Sequence, residues 1–250
     1  PDQARGPDQA RGPDQARGPD QARGPDQARG PASARGLPRR PTRPVGSLAM
    51  RVRPFATCDL PGMYRVCLLT GDAGTDATPV YRDPDLLGHV YAAPYPVADP
   101  SLTWVVTDDE GVAGYVVGTA DSQAFARWQE EAWWPPLRER YPRRPAVEGY
   151  RDHELLATVH DGGRYDPAVT DRYPAHLHID LLPRAQGRGL GRTLIETLAG
   201  ALRERGVPGL HLGVAEQNAG AIAFYGRVGF RQVEAHAWGR TLGMDLRAAA

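Results

Sequence analysis

One stretch in the last third of the chain restricts the possible folds more than any other. His176-Leu-His-Ile-Asp-Leu-Leu182 reads as a strand stopped by Pro183. Leu190, Leu194, Leu198 and Leu202 then recur every four residues, with Ile195 widening the stripe, which is the pattern of a helix buried along one face. Gly206 and Pro208 end that helix in the usual order, and Leu210, Leu212 and Val214 alternate as a further strand. Asn218 caps another helix carrying Ile222, Phe224, Tyr225 and Val228. Strand, helix, strand, helix in that order implies an α/β fold with a central mixed sheet and helices on both faces.

The preceding region fits the same plan. A strand-like segment, Arg51-Val-Arg-Pro-Phe-Ala56, is followed by a helical pattern from Asp59 to Leu69 and a shorter one over 84–88. Strands over 102–107 and 112–117 are joined by Asp108-Asp-Glu-Gly111, a hairpin loop ending in glycine. Residues 122–140 read as a helix interrupted at Trp133-Trp-Pro-Pro136, and 141–172 carry no assignable pattern.

Composition divides the chain in two. The hexamer Pro-Asp-Gln-Ala-Arg-Gly repeats from Pro1 to Gly30 and decays over the next six residues. It offers nothing apolar to offset the roughly 1–2 kcal/mol per residue that ordering a backbone costs, so 1–50 is expected to be disordered, with a docking tail as the alternative. Met50, just before the first strand, is the candidate start of translation, and 51–250 the folded domain. All 30 cations of the chain are Arg, a composition that suggests GC-rich bacterial coding. Nine of them fall in 1–50 against five Asp, so 51–250 holds 21 Arg against 25 carboxylates. That acidic balance argues against a charge-driven nucleic-acid or membrane binder. No apolar run approaches the roughly 18 residues of a membrane span, and no secretory signal is evident. Cys58 and Cys67 are too few for a disulfide scaffold and lack metal-ligand spacing, so a cytoplasmic setting is expected.

Gln186-Gly-Arg-Gly-Leu-Gly191 lies between the strand and the leucine-striped helix. Glycines there permit a tight turn and close backbone approach, and the free N–H groups of the helix start favour an anion, with Arg188 and Arg192 adding charge. A phosphate loop of the Walker type needs a Lys, which the chain lacks, and the glycine spacing does not fit a dinucleotide fingerprint. A glycine-rich turn without a ligand is the plainer reading. The Gln-x-x-Gly-x-Gly spacing instead resembles the acetyl-CoA loop of the GNAT acetyltransferase superfamily, and Asn218-Ala-Gly-Ala-Ile-Ala-Phe-Tyr225 with Gly229-Phe230 is similar to the superfamily's next motif. Tyr64-Arg-Val-Cys67, Asp83-Pro-Asp-Leu-Leu-Gly88, Glu110-Gly-Val-Ala-Gly-Tyr115, Gly118-Thr-Ala-Asp121, Trp133-Trp-Pro-Pro136 and the 173–180 stretch further resemble the C-terminal acetyltransferase-like domain of O-GlcNAcase. The resemblance covers roughly 54–246 and implies no sugar hydrolysis, because that activity belongs to another part of O-GlcNAcase.

The resemblance implies a GNAT fold with a splayed fourth strand and an acetyl-CoA-dependent N-acetyltransferase acting by direct transfer in a ternary complex. No Cys lies in the motif region to carry an acetyl group. Backbone groups of Leu181 and Leu182 would hold the pantetheine arm. Gln186, Gly187, Arg188, Gly189, Leu190, Gly191, Arg192 and Thr193 would hold the diphosphate, and Asn218, Ala221 and Phe224 would complete the cofactor site. Tyr225 is the expected general acid, since a phenol is protonated at neutral pH. Asp180 is the expected base, or alternatively a structural carboxylate. His176 and His178 share its strand face by period-two geometry and are candidates for substrate binding or proton relay. Trp133 and Trp134, with Tyr95 and Trp104, are candidates for an acceptor pocket or for the core. No metal is expected. The acceptor is an amine of unspecified kind, and an acyl-CoA-binding module without turnover is the alternative function.

Overall fold

The computed structural model describes residues 50–247. The expected disorder of the N-terminal repeat therefore falls outside the described residues, while Met50 packs against the core beside Val52. In chain order the elements are β1 (Arg51–Pro54), α1 (Leu60–Thr70), α2 (Leu86–Tyr91), α3 (Pro94–Ala98), β2 (Thr103–Asp108), β3 (Gly111–Thr119) and α4 (Ser122–Trp128). A π turn (Gln129–Trp133) leads into α5 (Trp134–Arg140), followed by α6 (Asp152–Asp161), α7 (Pro167–Thr170) and β4 (Ala175–Leu181). The chain ends with α8 (Leu190–Glu204), β5 (Gly209–Ala215), α9 (Ala219–Arg227), β6 (Arg231–His236) and β7 (Gly239–Asp245).

The strands form one mixed sheet in the order β1-β2-β3-β4-β5-β7-β6. Every neighbouring pair is antiparallel except β4 and β5, which α8 connects by a crossover. That one parallel pair is also incomplete. It is registered only at Ala175–Leu210 and His176–His211, although β4 continues to Leu181 and β5 to Ala215. The sheet therefore opens between its two central strands.

Alternation along the strands builds a core on each face. Tyr115 and Val117 of β3 pack with Met63, Val66 and Cys67 of α1, Leu87 and Val90 of α2 and Leu155 and Val159 of α6. On the other face, Val116 of β3 and Leu177 of β4 meet the α8 stripe of Leu194, Ile195, Leu198 and Leu202. Burying each of those α8 leucines completely stabilises the fold by about 1.5–3 kcal/mol. With Ala175, Leu177, Ile179 and Leu181 all turned toward α8, the intervening His176, His178 and Asp180 face α1 and α2.

Three elements differ from the sequence-based expectation. Trp133-Trp-Pro-Pro136 does not interrupt the helix but continues it through the π turn, and both prolines fall in the first turn of α5, where a missing N–H costs little. The unassigned 141–172 stretch contains α6 and α7, because only Leu155, Leu156 and Val159 of α6 are apolar and buried. Leu182 lies just beyond β4.

Candidate active site

The opening in the sheet presents a defined set of backbone donors. Leu182 N–H donates to the Ala113 carbonyl at 2.9 Å, which sets the phase of the β3–β4 ladder. Every second residue back along β4 bonds toward β3, and the residues between them, Ile179 and Leu181, turn their N–H groups toward β5, where pairing has already stopped. The expected role for the Leu182 backbone is thus corrected, because its N–H is consumed within the sheet, whereas those of Ile179 and Leu181 are left free. Gln186 reaches back and donates its Nε2–H to the Leu181 carbonyl at 2.8 Å, tying the glycine loop to the strand end.

That loop is shaped by backbone freedom rather than crowding. Gly187 and Gly189 have φ of +70° and +77°, and Gly189 is the N-cap of α8. A Cβ at either position would meet nothing within 4 Å, so the space in front of the loop is open. The first-turn N–H groups of Leu190, Gly191 and Arg192 have no intrahelical acceptor and point out of the helix start. Gly191 has a different task. A Cβ there would come within 3.1 Å of the Phe224 ring and 3.4 Å of Leu181, so its absence lets α8 and α9 approach the end of β4. Arg192 donates to the Arg227 carbonyl at 3.0 Å, Arg188 to the Arg184 carbonyl at 3.1 Å, and Thr193 N–H to Gly189 at 3.1 Å. Asn218 accepts from Ala221 N–H at 3.1 Å, capping α9 as expected.

Two titratable groups in this region feel each other's charge, Asp180 on β4 and Tyr225 on α9. Asp180 is partly accessible yet enclosed by protein, and burial pushes its carboxyl above the usual carboxylate range. Tyr115 opposes that shift by donating its hydroxyl to Asp180 Oδ2 at 2.5 Å. Thr70, whose hydroxyl donates to the Val66 carbonyl at 2.8 Å, stands beside the carboxylate and acts in the same direction, more weakly than Tyr115. Tyr225, on α9, packs between Phe224 and Phe230. Burial first, and then the nearby Asp180 charge, hold its phenol above its ordinary value, so it remains protonated at neutral pH.

Comparison with known proteins agrees with this fold. Residues 72–230 match the acetyltransferase (GNAT) family. The chain belongs to that family. A solved structure described as SsHAT is 40% identical with a TM-score of 0.74, and the match covers 79% of this chain and 98% of that one. The protein O-GlcNAcase of Rattus norvegicus is 22% identical over 180 residues, covering 71% of this chain but 20% of its own length. Mycothiol acetyltransferase of Beutenbergia cavernae is 39% identical over 99 residues, covering 36% of this chain and 33% of that protein. This chain thus spans only a minor part of both curated relatives.

Within this GNAT domain the remaining candidates divide clearly. His178 lies next to Asp180 on β4, edge-on to Tyr91 at 5.2 Å, and burial, with His211 nearby, lowers its pKa to about 4, so it is neutral. His176 is 4% exposed, with Nδ1 bound to Ser122 at 2.7 Å and Nε2 to Tyr95 at 2.8 Å, and so has no free nitrogen for a substrate. Trp134 is 1% exposed in the core. Trp133 donates to the His89 carbonyl at 2.9 Å and stacks on Trp128. Tyr95 is buried and Trp104 packs against the α8-side core. None of these four makes a hydrogen bond or ring contact with Asp180 or Tyr225. Sequence reasoning missed Trp238, in the β6–β7 turn. Its ring lies over β5 on the Asp180 face, where a Cβ at Gly213 would be 3.0 Å from it, and His236 stacks behind it at 4.7 Å. A Trp next to a glycine that faces it across two strands leaves no local sequence signal. Among the described residues no cluster of three or more His, Cys, Asp or Glu could hold a metal, and no helix is long and apolar enough to cross a membrane.

Proposed function

We propose that this GNAT domain is an acetyl-CoA-dependent N-acetyltransferase working by direct transfer to an amine. The juxtaposition of Asp180 and Tyr225 at the opening between β4 and β5 carries the reading. The residues present suit the co-substrate: Ile179 and Leu181 offer unpaired N–H donors to an extended arm, and the open glycine loop offers first-turn N–H groups to a diphosphate. Acetyl-CoA supplies an acetyl thioester. Asp180, kept as a carboxylate by Tyr115, accepts a proton from the incoming amine. Tyr225 donates its phenolic proton to the departing sulfur, and exchange with water returns both groups to their starting states. Leu181 N–H is the donor placed to stabilise charge on the thioester oxygen. Trp238 forms the acceptor-side wall.

The likeness to O-GlcNAcase supports a kinship with its acetyltransferase-like domain, and with it a second reading as an acyl-CoA-binding module without turnover. The all-Arg composition and the free thiols of Cys58 and Cys67 support a bacterial cytoplasmic origin. Incubation with acetyl-CoA and a panel of amines, following free thiol, separates the two readings. Thiol release that depends on an amine is the expected result. Calorimetric binding of acetyl-CoA with no thiol release across the panel would establish the silent module instead.

A further inference from the structure

Tyr115 is 0% exposed, in the middle of β3, and cannot touch a substrate. Burying a phenol normally requires a partner for its hydroxyl, and here the partner is the one carboxylate at the opening, at 2.5 Å. The register pairs Tyr115 directly with Asp180 across the β3–β4 ladder, so both backbone and side chain hold the two residues together. Around Asp180, β4 itself contributes neutral His178, α1 contributes the thiol of Cys67 and the hydroxyl of Thr70, and α9 contributes Tyr225. No cation is among these groups, so nothing but hydrogen bonding favours the ionised carboxylate.

We propose that Tyr115 is the positioning residue of the transfer, its buried hydroxyl orienting Asp180 into the opening and keeping it available as proton acceptor. The inference rests on the proposed role of Asp180 as base. A hydrogen bond made to the charged form favours that form, and a short phenol–carboxylate bond is a strong one. Without the hydroxyl, the larger of the two hydrogen-bonding influences that oppose desolvation is lost, and the Asp180 proton is held to higher pH. Activity would then be lost near neutrality and recovered in alkali.

The test compares the pH profiles of kcat/KM for the wild type, Tyr115→Phe and Asp180→Asn, with whichever amine the thiol-release panel identifies. Tyr115→Phe keeps the ring in the core and removes one oxygen. The expected result is an acid limb displaced upward by about one pH unit, a roughly tenfold loss at a pH on that limb, with near wild-type activity above it. Asp180→Asn should abolish the limb. A uniform loss across the whole pH range, or an unmoved limb, in Tyr115→Phe would overturn the positioning role while leaving Asp180 as base. An acid limb that persists in Asp180→Asn would overturn the base itself, and the proposal with it. If Tyr115→Phe fails to fold, Tyr115→Leu, which likewise removes the hydroxyl and adds no donor, provides the second variant, and the same displaced or unmoved limb decides.

Discussion

At the scale of single residues, the chemistry depends on where burial leaves a proton. Burial raises the Asp180 carboxyl and the Tyr225 phenol alike, and the effect is opposite for function: one must lose its proton to act, the other must keep it. Tyr225→Phe removes only the donor. Turnover should fall at least about tenfold while acetyl-CoA affinity, read by calorimetry, stays within about twofold. Unchanged turnover would remove Tyr225 from the mechanism. Both residues are legible in sequence because they sit inside local motifs. Tyr115 is not, since its importance comes from a partner 65 positions away along the chain.

Elements determine whether the site is open. The glycine loop works through backbone shape, and Gly189 is the clearest case. An alanine at φ +77° costs about 1–2 kcal/mol in strain although its Cβ would meet no neighbour. Gly189→Ala is therefore expected to weaken acetyl-CoA binding by about tenfold, measured by calorimetry, without a clash elsewhere in the fold. In the proposed mechanism the β6–β7 turn faces the other substrate. Trp238→Ala removes the wall over Gly213 and should raise KM for the amine several-fold while leaving KM for acetyl-CoA in place. Equal changes in both constants would instead show a general loosening of β5. The helix α8 could be read from its leucine stripe because one-sided burial leaves a periodic trace. The helix α6 could not, since its narrow apolar face is diluted by charged and polar neighbours.

For the whole molecule, the face of the sheet beneath Tyr95 of α3 and Tyr165 encloses His176, His178 and His211, all held neutral chiefly by burial. Their folded pKa values lie below the ordinary 6.5, so between pH 6.5 and about 4 the unfolded chain binds more protons than the folded one. Stability is present in full above that window and falls as pH drops through it. Denaturant midpoints at pH 7.5, 6 and 5 should decline in that order, and His178→Phe should lessen the decline. A midpoint independent of pH over this range would contradict the neutral assignment.

Sequence by itself determined the α/β class, the strand–loop–helix unit around Gln186–Gly191, the Asn218 cap and the candidacy of Asp180 and Tyr225, because each is written in local periodicity or a short motif. Only tertiary structure decided that Ile179 and Leu181, not Leu182, offer free N–H groups, that His176 is locked away, that Tyr115 bonds Asp180 and that Trp238 lies over Gly213. Those facts depend on strand register and on which neighbour a strand lacks, and register joins residues that no local window contains.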